Sequence, residues 1–245
     1  MASNTGTLTV RIPGYPQPIQ FGDWTHGDLY HTVQQAQGNT NEIQAFIGAE
    51  GSPIPNGTRP LTKVDTNIPR SGDNGLSEGW EALIYSLQIQ PIREWATTNA
   101  NIVLNDVAGQ RSRPIHVGGN DPNFLAGGVL FDFLRKTYVR FTVNQKVQAE
   151  APAEKFPQGS GISAFSTNTD FEVANNGQAS PRDARIFVLP IWLRPNIAFV
   201  CKLAPQVALG DQIGATYVDW SGLVATNMGF DTRVTLVGLL KRPVT

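Results

Sequence analysis

The chain carries a single cysteine, Cys201, among 245 residues. One thiol excludes an internal disulfide framework and any CxxC metal site, and its place in an apolar alternation reads as a small buried hydrophobe. A single domain of this length buries about 70–75% of its unfolded surface, so it needs neither staple nor metal to be stable. Charge is scarce as well: Asp, Glu, Lys and Arg make up 16% of the chain, against a typical ~25%. The 19 basic and 20 acidic residues nearly cancel. The lack of a run of either sign argues against a dedicated nucleic-acid groove, although a few Lys or Arg on one surface remain compatible with a packaged genome or a charged membrane. No segment approaches the ~18 apolar residues of a membrane-spanning helix. Met1-Ala-Ser-Asn-Thr-Gly lacks the basic and apolar regions of a signal peptide, so folding in the cytosol is expected.

Signatures of catalysis are equally thin. His26 and His31 are five apart and flanked by Asp23 and Asp28, while His116 falls in a separate predicted strand. Metal ligands on a helix want a spacing of three or four, and a β-barrel metal site wants a His-x-His pair, so no metal is expected. Gly159-Ser160-Gly161 and Ser163 fail the G-x-S-x-G pattern because Phe165 stands at the last glycine. No phosphate-binding glycine motif follows a strand. Catalytic residues, cofactors and a small-molecule substrate are therefore not expected.

Two sets of residues keep other functions open. Glu78, Glu81, Glu94, Asp106 and Asp132 could supply a carboxylate pair drawn from distant strands, as a glycosidase requires. Asp132 interrupts the apolar run Leu130–Leu134 and is expected to face outward. Trp24, Trp80, Trp95, Trp192 and Trp220 could line a sugar-binding face, but they are scattered near strand ends, where packing or interface roles are commoner.

Amides, hydroxyls, glycine and proline take the place of the missing charge. Such a surface is expected where neighbouring subunits cover much of it; a loop-rich extracellular β-protein would share it. The strongest positive signal is period-two apolarity, which puts one face of a strand on a core. Val129–Ala151 shows it at Val129, Phe131 and Phe133 and again at Val139, Phe141 and Val143. Ala184–Leu203 shows it at Ile197, Phe199, Cys201 and Leu203, after a Leu-Arg-Pro-Asn turn. Further strands are predicted at Thr7–Ile12, Ile43–Ile47, Leu83–Ile92, Asn101–Val107, Arg113–Val117, Ala215–Trp220 and Arg233–Lys241. In Leu83–Ile92 the residues Leu83, Tyr85, Leu87 and Ile89 share one predicted face. In Arg233–Lys241 both faces are apolar, so the strand is expected to be covered on both sides. Asp28–Gln37 is the best helix candidate. Gly48–Gly79 and Phe156–Arg182 are rich in turn formers and read as long loops, which usually act or lie along a partner. Pro13, Pro16 and Pro18 make residues 13–18 an edge or extended arm. Many strands, Gly/Pro-rich connections and almost no helix point to a sandwich or jelly roll.

Taken in order, several stretches carry a resemblance. Glu42-Ile-Gln-Ala-Phe-Ile-Gly-Ala-Glu-Gly leads through Pro55-Asn-Gly-Thr-Arg-Pro to Asp65-Thr-Asn-Ile-Pro-Arg-Ser-Gly. Leu76-Ser-Glu-Gly-Trp-Glu-Ala-Leu-Ile-Tyr enters the first strong strand, and Leu134-Arg-Lys-Thr-Tyr-Val-Arg-Phe, Ile191-Trp-Leu-Arg-Pro-Asn-Ile-Ala-Phe and Val234-Thr-Leu-Val-Gly-Leu-Leu-Lys-Arg-Pro-Val follow. Over residues 42–245 the chain resembles the jelly-roll capsid proteins of tailless icosahedral bacteriophages, some of them lipid-containing. The first forty residues have no counterpart in it.

The resemblance implies an all-β jelly-roll sandwich: an arm over residues 1–20 and one jelly-roll domain over 21–245, with a compact double jelly roll as the alternative. It implies a non-enzymatic capsid subunit that self-assembles into an icosahedral shell in the virion, made in the host cytoplasm. Partners would be other copies of itself and other virion proteins, with a packaged genome or internal membrane as further neighbours. The arm implies interface residues at Leu8, Val10, Ile12, Tyr15 and Trp24. A carbohydrate-binding β-sandwich, as in a phage spike or lectin-like module, and a β-sandwich hydrolase are the competing readings.

Overall fold

The computed structural model describes residues 9–11, 15–16, 18–36, 39–71, 75–98, 116–118, 133–157, 163–167, 171–175, 185–206, 217–218 and 224–243. Eight strands build its body: β1 (Trp24–Ala36), β2 (Ile43–Ala45), β3 (Glu81–Thr98), β4 (Thr137–Val143), β5 (Lys146–Pro152), β6 (Ile186–Leu193), β7 (Phe199–Pro205) and β8 (Val224–Lys241). They form two antiparallel sheets, in the orders β6-β3-β8-β1 and β5-β4-β7-β2, with Tyr217–Val218 added beside the start of β8. The first strand pairs with the last, the second with the seventh, the third with the sixth and the fourth with the fifth. That nesting is one long hairpin wrapped into a single jelly roll.

The core lies between the sheets. Leu29 and Val33 of β1, Ile84 and Leu87 of β3, and Leu236 and Leu240 of β8 face Phe141 of β4 and Phe199, Cys201 and Leu203 of β7. Each large side chain so buried contributes about 1.5–3 kcal/mol relative to exposure. Cys201 is fully buried among them, as the small buried hydrophobe expected, and burial raises its thiol pKa. Asn144 and Gln145, both at positive φ, make the tight turn from β4 to β5.

Several boundaries differ from the sequence reading. Of the expected helix Asp28–Gln37, residues 28–36 are strand instead and Gln37 lies outside the described residues: residues 24–36 run as β1, zipped to β8 from Trp24↔Lys241 to Ala36↔Gly229. Its inward positions include His31 and Gln35, both buried, and these polar residues hide the alternation that would have marked a strand. In β3 the register with β8 shifts between Val237 and Gly238. Tyr85 is the extra residue, so inward parity passes from Ala82 and Ile84 to Leu87 and Ile89. Leu83 therefore faces away from the core, not with Leu87. A Cβ on Gly238 would collide with the Leu83 carbonyl oxygen, so glycine alone allows that approach.

Residues 133–136 form a helical turn rather than strand, burying the adjacent Phe133 and Leu134 together. Phe156–Arg182 is not all loop, because Ser163–Thr167 and Phe171–Asn175 pair as a hairpin and the latter also pairs with His116–Gly118. The predicted strand Asn101–Val107 and residues Val129, Phe131 and Asp132 lie outside the described residues.

Candidate functional site

The outer face of the first sheet, turned away from the core, carries two different covers. At one end the N-terminal segment lies over it. Thr9–Val10 pairs with Ile19–Gln20 as a small hairpin, and a 3-10 turn at Phe21–Asp23 leads into β1. Ile19, Trp24 and Leu83 are buried together, with Tyr15, Trp192 and Leu239 packed against them. Leu239 is one of the outward apolar residues of β8, so the expected cover on its second face is present. Tyr15 stands edge-on to Trp24 at 5.7 Å and to Trp192 at 4.7 Å. The Glu81 carboxylate gathers the polar tips: it accepts from Trp192 Nε1 at 2.9 Å, from the Tyr15 hydroxyl at 3.3 Å and from Lys241 Nζ at 3.4 Å. Burial, and then the Glu81 charge and hydrogen bond, push the Tyr15 hydroxyl up to about 12.

Of the five interface residues expected from sequence, the structure brings Tyr15 and Trp24 into one contact. Val10 lies in the Thr9–Val10 strand, and Leu8 and Ile12 lie outside the described residues. Glu81, Trp192 and Leu239 complete the socket and were not foreseen as a group, because they come from three strands distant in sequence.

At the other end, the loop between β2 and β3 folds over β1 and β8 and encloses a charged cluster. Arg59 donates to both oxygens of Asp65, at 2.7 and 2.8 Å, and to Asp231 at 2.9 Å. The Asp231 side chain is wholly buried although it lies on the outer face, and Gln34 donates to its other oxygen at 3.3 Å. Asp65 also accepts from the backbone N–H and hydroxyl of Thr62. Burial alone would raise the Asp65 carboxyl, but these bonds from Arg59 and Thr62 outweigh it and hold it at about 2. The same two carboxylates raise the Arg59 guanidinium against its burial.

This cluster is the buried carboxylate pair that sequence reading did not single out. Its one local signal is Asp231 interrupting the strand pattern before Val234. Chemically it is a clamp: a carboxyl held at about 2 is ionised near neutral pH and has no proton to give as a general acid. Among the carboxylates that were singled out, Glu78 is exposed and Glu81 belongs to the aromatic socket. The Glu94 side chain, Asp106 and Asp132 lie outside the described residues.

The histidines separate. His26 is exposed, 3.5 Å from the Tyr85 hydroxyl, whereas His31 is buried in a T-shaped ring contact with Phe46. The His116 side chain lies outside the described residues. The tryptophans do not make an open platform in common. Trp24 is buried, Trp192 is covered by Arg194 at 4.0 Å, and Trp80 by Arg242 at 5.4 Å. Trp220 and the Trp95 side chain lie outside the described residues.

The far edge of the same sheet, β6, is built differently. Its register with β3 breaks between Ile186 and Ile191, and Val188 on the protruding stretch is 98% exposed, with Ile186 and Leu189 exposed beside it. Comparison with protein-family models, curated proteins and solved structures finds no match to this chain.

Proposed function

We propose that the chain is a structural capsid subunit, a jelly roll that self-assembles into an icosahedral shell without catalysis. The observation that carries this reading is the nested pairing of eight strands into one jelly roll, an architecture used by viral shells. The use of its surface fits: the outer sheet face is covered by an N-terminal segment and a long loop, and one sheet edge presents apolar side chains to solvent. A subunit that tiles a closed shell must offer several different surfaces to its neighbours. The partners in this reading are other copies of the chain and other virion proteins, with a genome or internal membrane beneath them.

Electron microscopy of the purified protein tests it. Shells or regular trimers are the expected result, and a monomer at every concentration would sink the proposal. Deleting residues 2–12 leaves Tyr15, Ile19 and Trp24 in place, so the subunit should fold; as part of an arm between subunits, the deleted stretch should be needed for efficient assembly. Normal particles from that truncation would remove the arm from the proposal while leaving the shell.

One observation favours a carbohydrate-binding module instead, the convergence of Tyr15, Trp24 and Trp192 beside Glu81. These rings pack on one another and Arg194 covers Trp192, so a sugar would have to displace the N-terminal segment. Glycan-array binding by a stable monomer would favour this second reading.

A further inference from the structure

Strand β1 forms an edge of its sheet along most of its length, and an edge strand ordinarily offers every second N–H and C=O to any extended chain that meets it. Here the row is already occupied. The N–H groups of Tyr30, Thr32 and Gln34 donate to Asn67 Oδ1 at 2.8 Å, to the Asp65 carbonyl at 2.8 Å and to the Pro55 carbonyl at 3.0 Å. In return, Asn67 Nδ2 donates to the Asp28 carbonyl at 2.6 Å and Asn56 Nδ2 to the Gln34 carbonyl at 3.0 Å. Residues 55–67 do this without a regular ladder, as a series of turns with side-chain amides standing in for backbone groups.

Beyond these bonds, and those from the Tyr30 hydroxyl to the Lys63 carbonyl and from Arg233 to the Val64 carbonyl, the irregular segment is tied to the sheet by charge. Arg59 and Asp65 both belong to it, and Arg59 reaches Asp231 on β8, the strand next to β1. We propose that segment 55–67 is an edge guard clamped by Arg59, and that β1 beneath it is a latent pairing surface for β1 of a second copy of this chain. The occupant follows from the geometry. The edge demonstrably accepts a backbone, its free-side donors recur at every second residue as an antiparallel partner needs, and two unguarded copies present the same row to each other about a twofold axis. This inference stands independently of whether the chain builds a shell.

The clamp is also where the guard can be opened selectively. Replacing Arg59 by leucine leaves Asp65 and Asp231 close together without the cation that joins them, an arrangement that favours separation. Arg59→Lys keeps the charge but loses the planar fork that serves both carboxylates, so it should loosen the guard less.

Residue-resolved hydrogen exchange on the full chain reads this directly. In Arg59→Leu the amides of Tyr30, Thr32 and Gln34 should exchange roughly tenfold faster or more, while those of Leu236 and Leu87 in the central strands keep their protection. Sedimentation should then show a concentration-dependent dimer that the unmodified chain does not form through this edge. Adding Thr32→Pro, which removes one edge donor without touching the bond side facing β8, should abolish that dimer. Unchanged protection at the three amides would overturn the guard, as would their loss in step with Leu236 and Leu87. A released edge that stays monomeric would overturn the pairing surface. Should Arg59→Leu not fold, Arg59→Lys carries the test: its three edge amides must exchange faster than in the unmodified chain, or the clamp is refuted.

Discussion

Asp65 sits at about 2 in the folded chain, against about 3.9 for an aspartate in an unfolded one. A carboxyl lowered in this way contributes stability in full above its unfolded value, and that contribution is lost as pH falls through the folded one. The relevant window therefore runs from about pH 4 down to about pH 2. Asp65→Asn is expected to lower the melting temperature near neutral pH and to lose that deficit progressively across the window. Thermal melts of both proteins over this range check it; a deficit that stays constant would mean that the amide disturbs packing rather than removing charge. Arg59 and Asp65 are only six residues apart, but Asp231 is 172 residues from Arg59. Sequence can show that an aspartate interrupts a strand, but it cannot say which cation meets it when the partner arrives on a loop without periodicity.

Strands with clean alternation were legible, and those that carry polar residues inward were not. Phe199, Cys201 and Leu203 on β7 point inward as their spacing predicts, and the Leu-Arg-Pro-Asn turn falls between β6 and β7. In β1 the buried His31 and Gln35 break the apolar pattern, and only thirteen pairings with β8 reveal it as a strand. In β3 a single extra residue, Tyr85, reverses the facing of everything before it, a shift to which a period-two count is blind. Tyr15 and Trp24, expected from sequence as interface residues, meet within the chain, where Trp192 and Glu81, 111 residues apart, join them. The socket makes its own prediction. Removing residues 2–20, unlike 2–12, takes away Tyr15 and Ile19 and uncovers Trp24, Leu83 and Leu239, an apolar patch of the kind that promotes association. Binding of an apolar fluorescent dye should rise in the longer deletion and not in the shorter; equal binding by both would show that the segment does not seal this face.

At the scale of the molecule, the nested pairing makes the two sheets unequal in how they depend on order along the chain. The hairpin of β4 and β5 closes across a two-residue turn, whereas β1 and β3 touch no common partner until β8 lies between them. A chain ending before Val224 is thus expected to keep at most the β3–β6 pair of the first sheet, with Leu29, Val33, Ile84 and Leu87 left without Val234, Leu236 and Leu240. Limited proteolysis of such a truncation should cut freely in residues 24–36, whose strand partner is β8; protection there would refute the dependence. The same wiring has a consequence during synthesis. While the ribosome is still short of Lys241, β1 and β3 have been outside for most of translation with their shared partner unmade, and only its emergence lets them close. Incomplete chains are thereby kept from acquiring the surface that the finished first sheet presents.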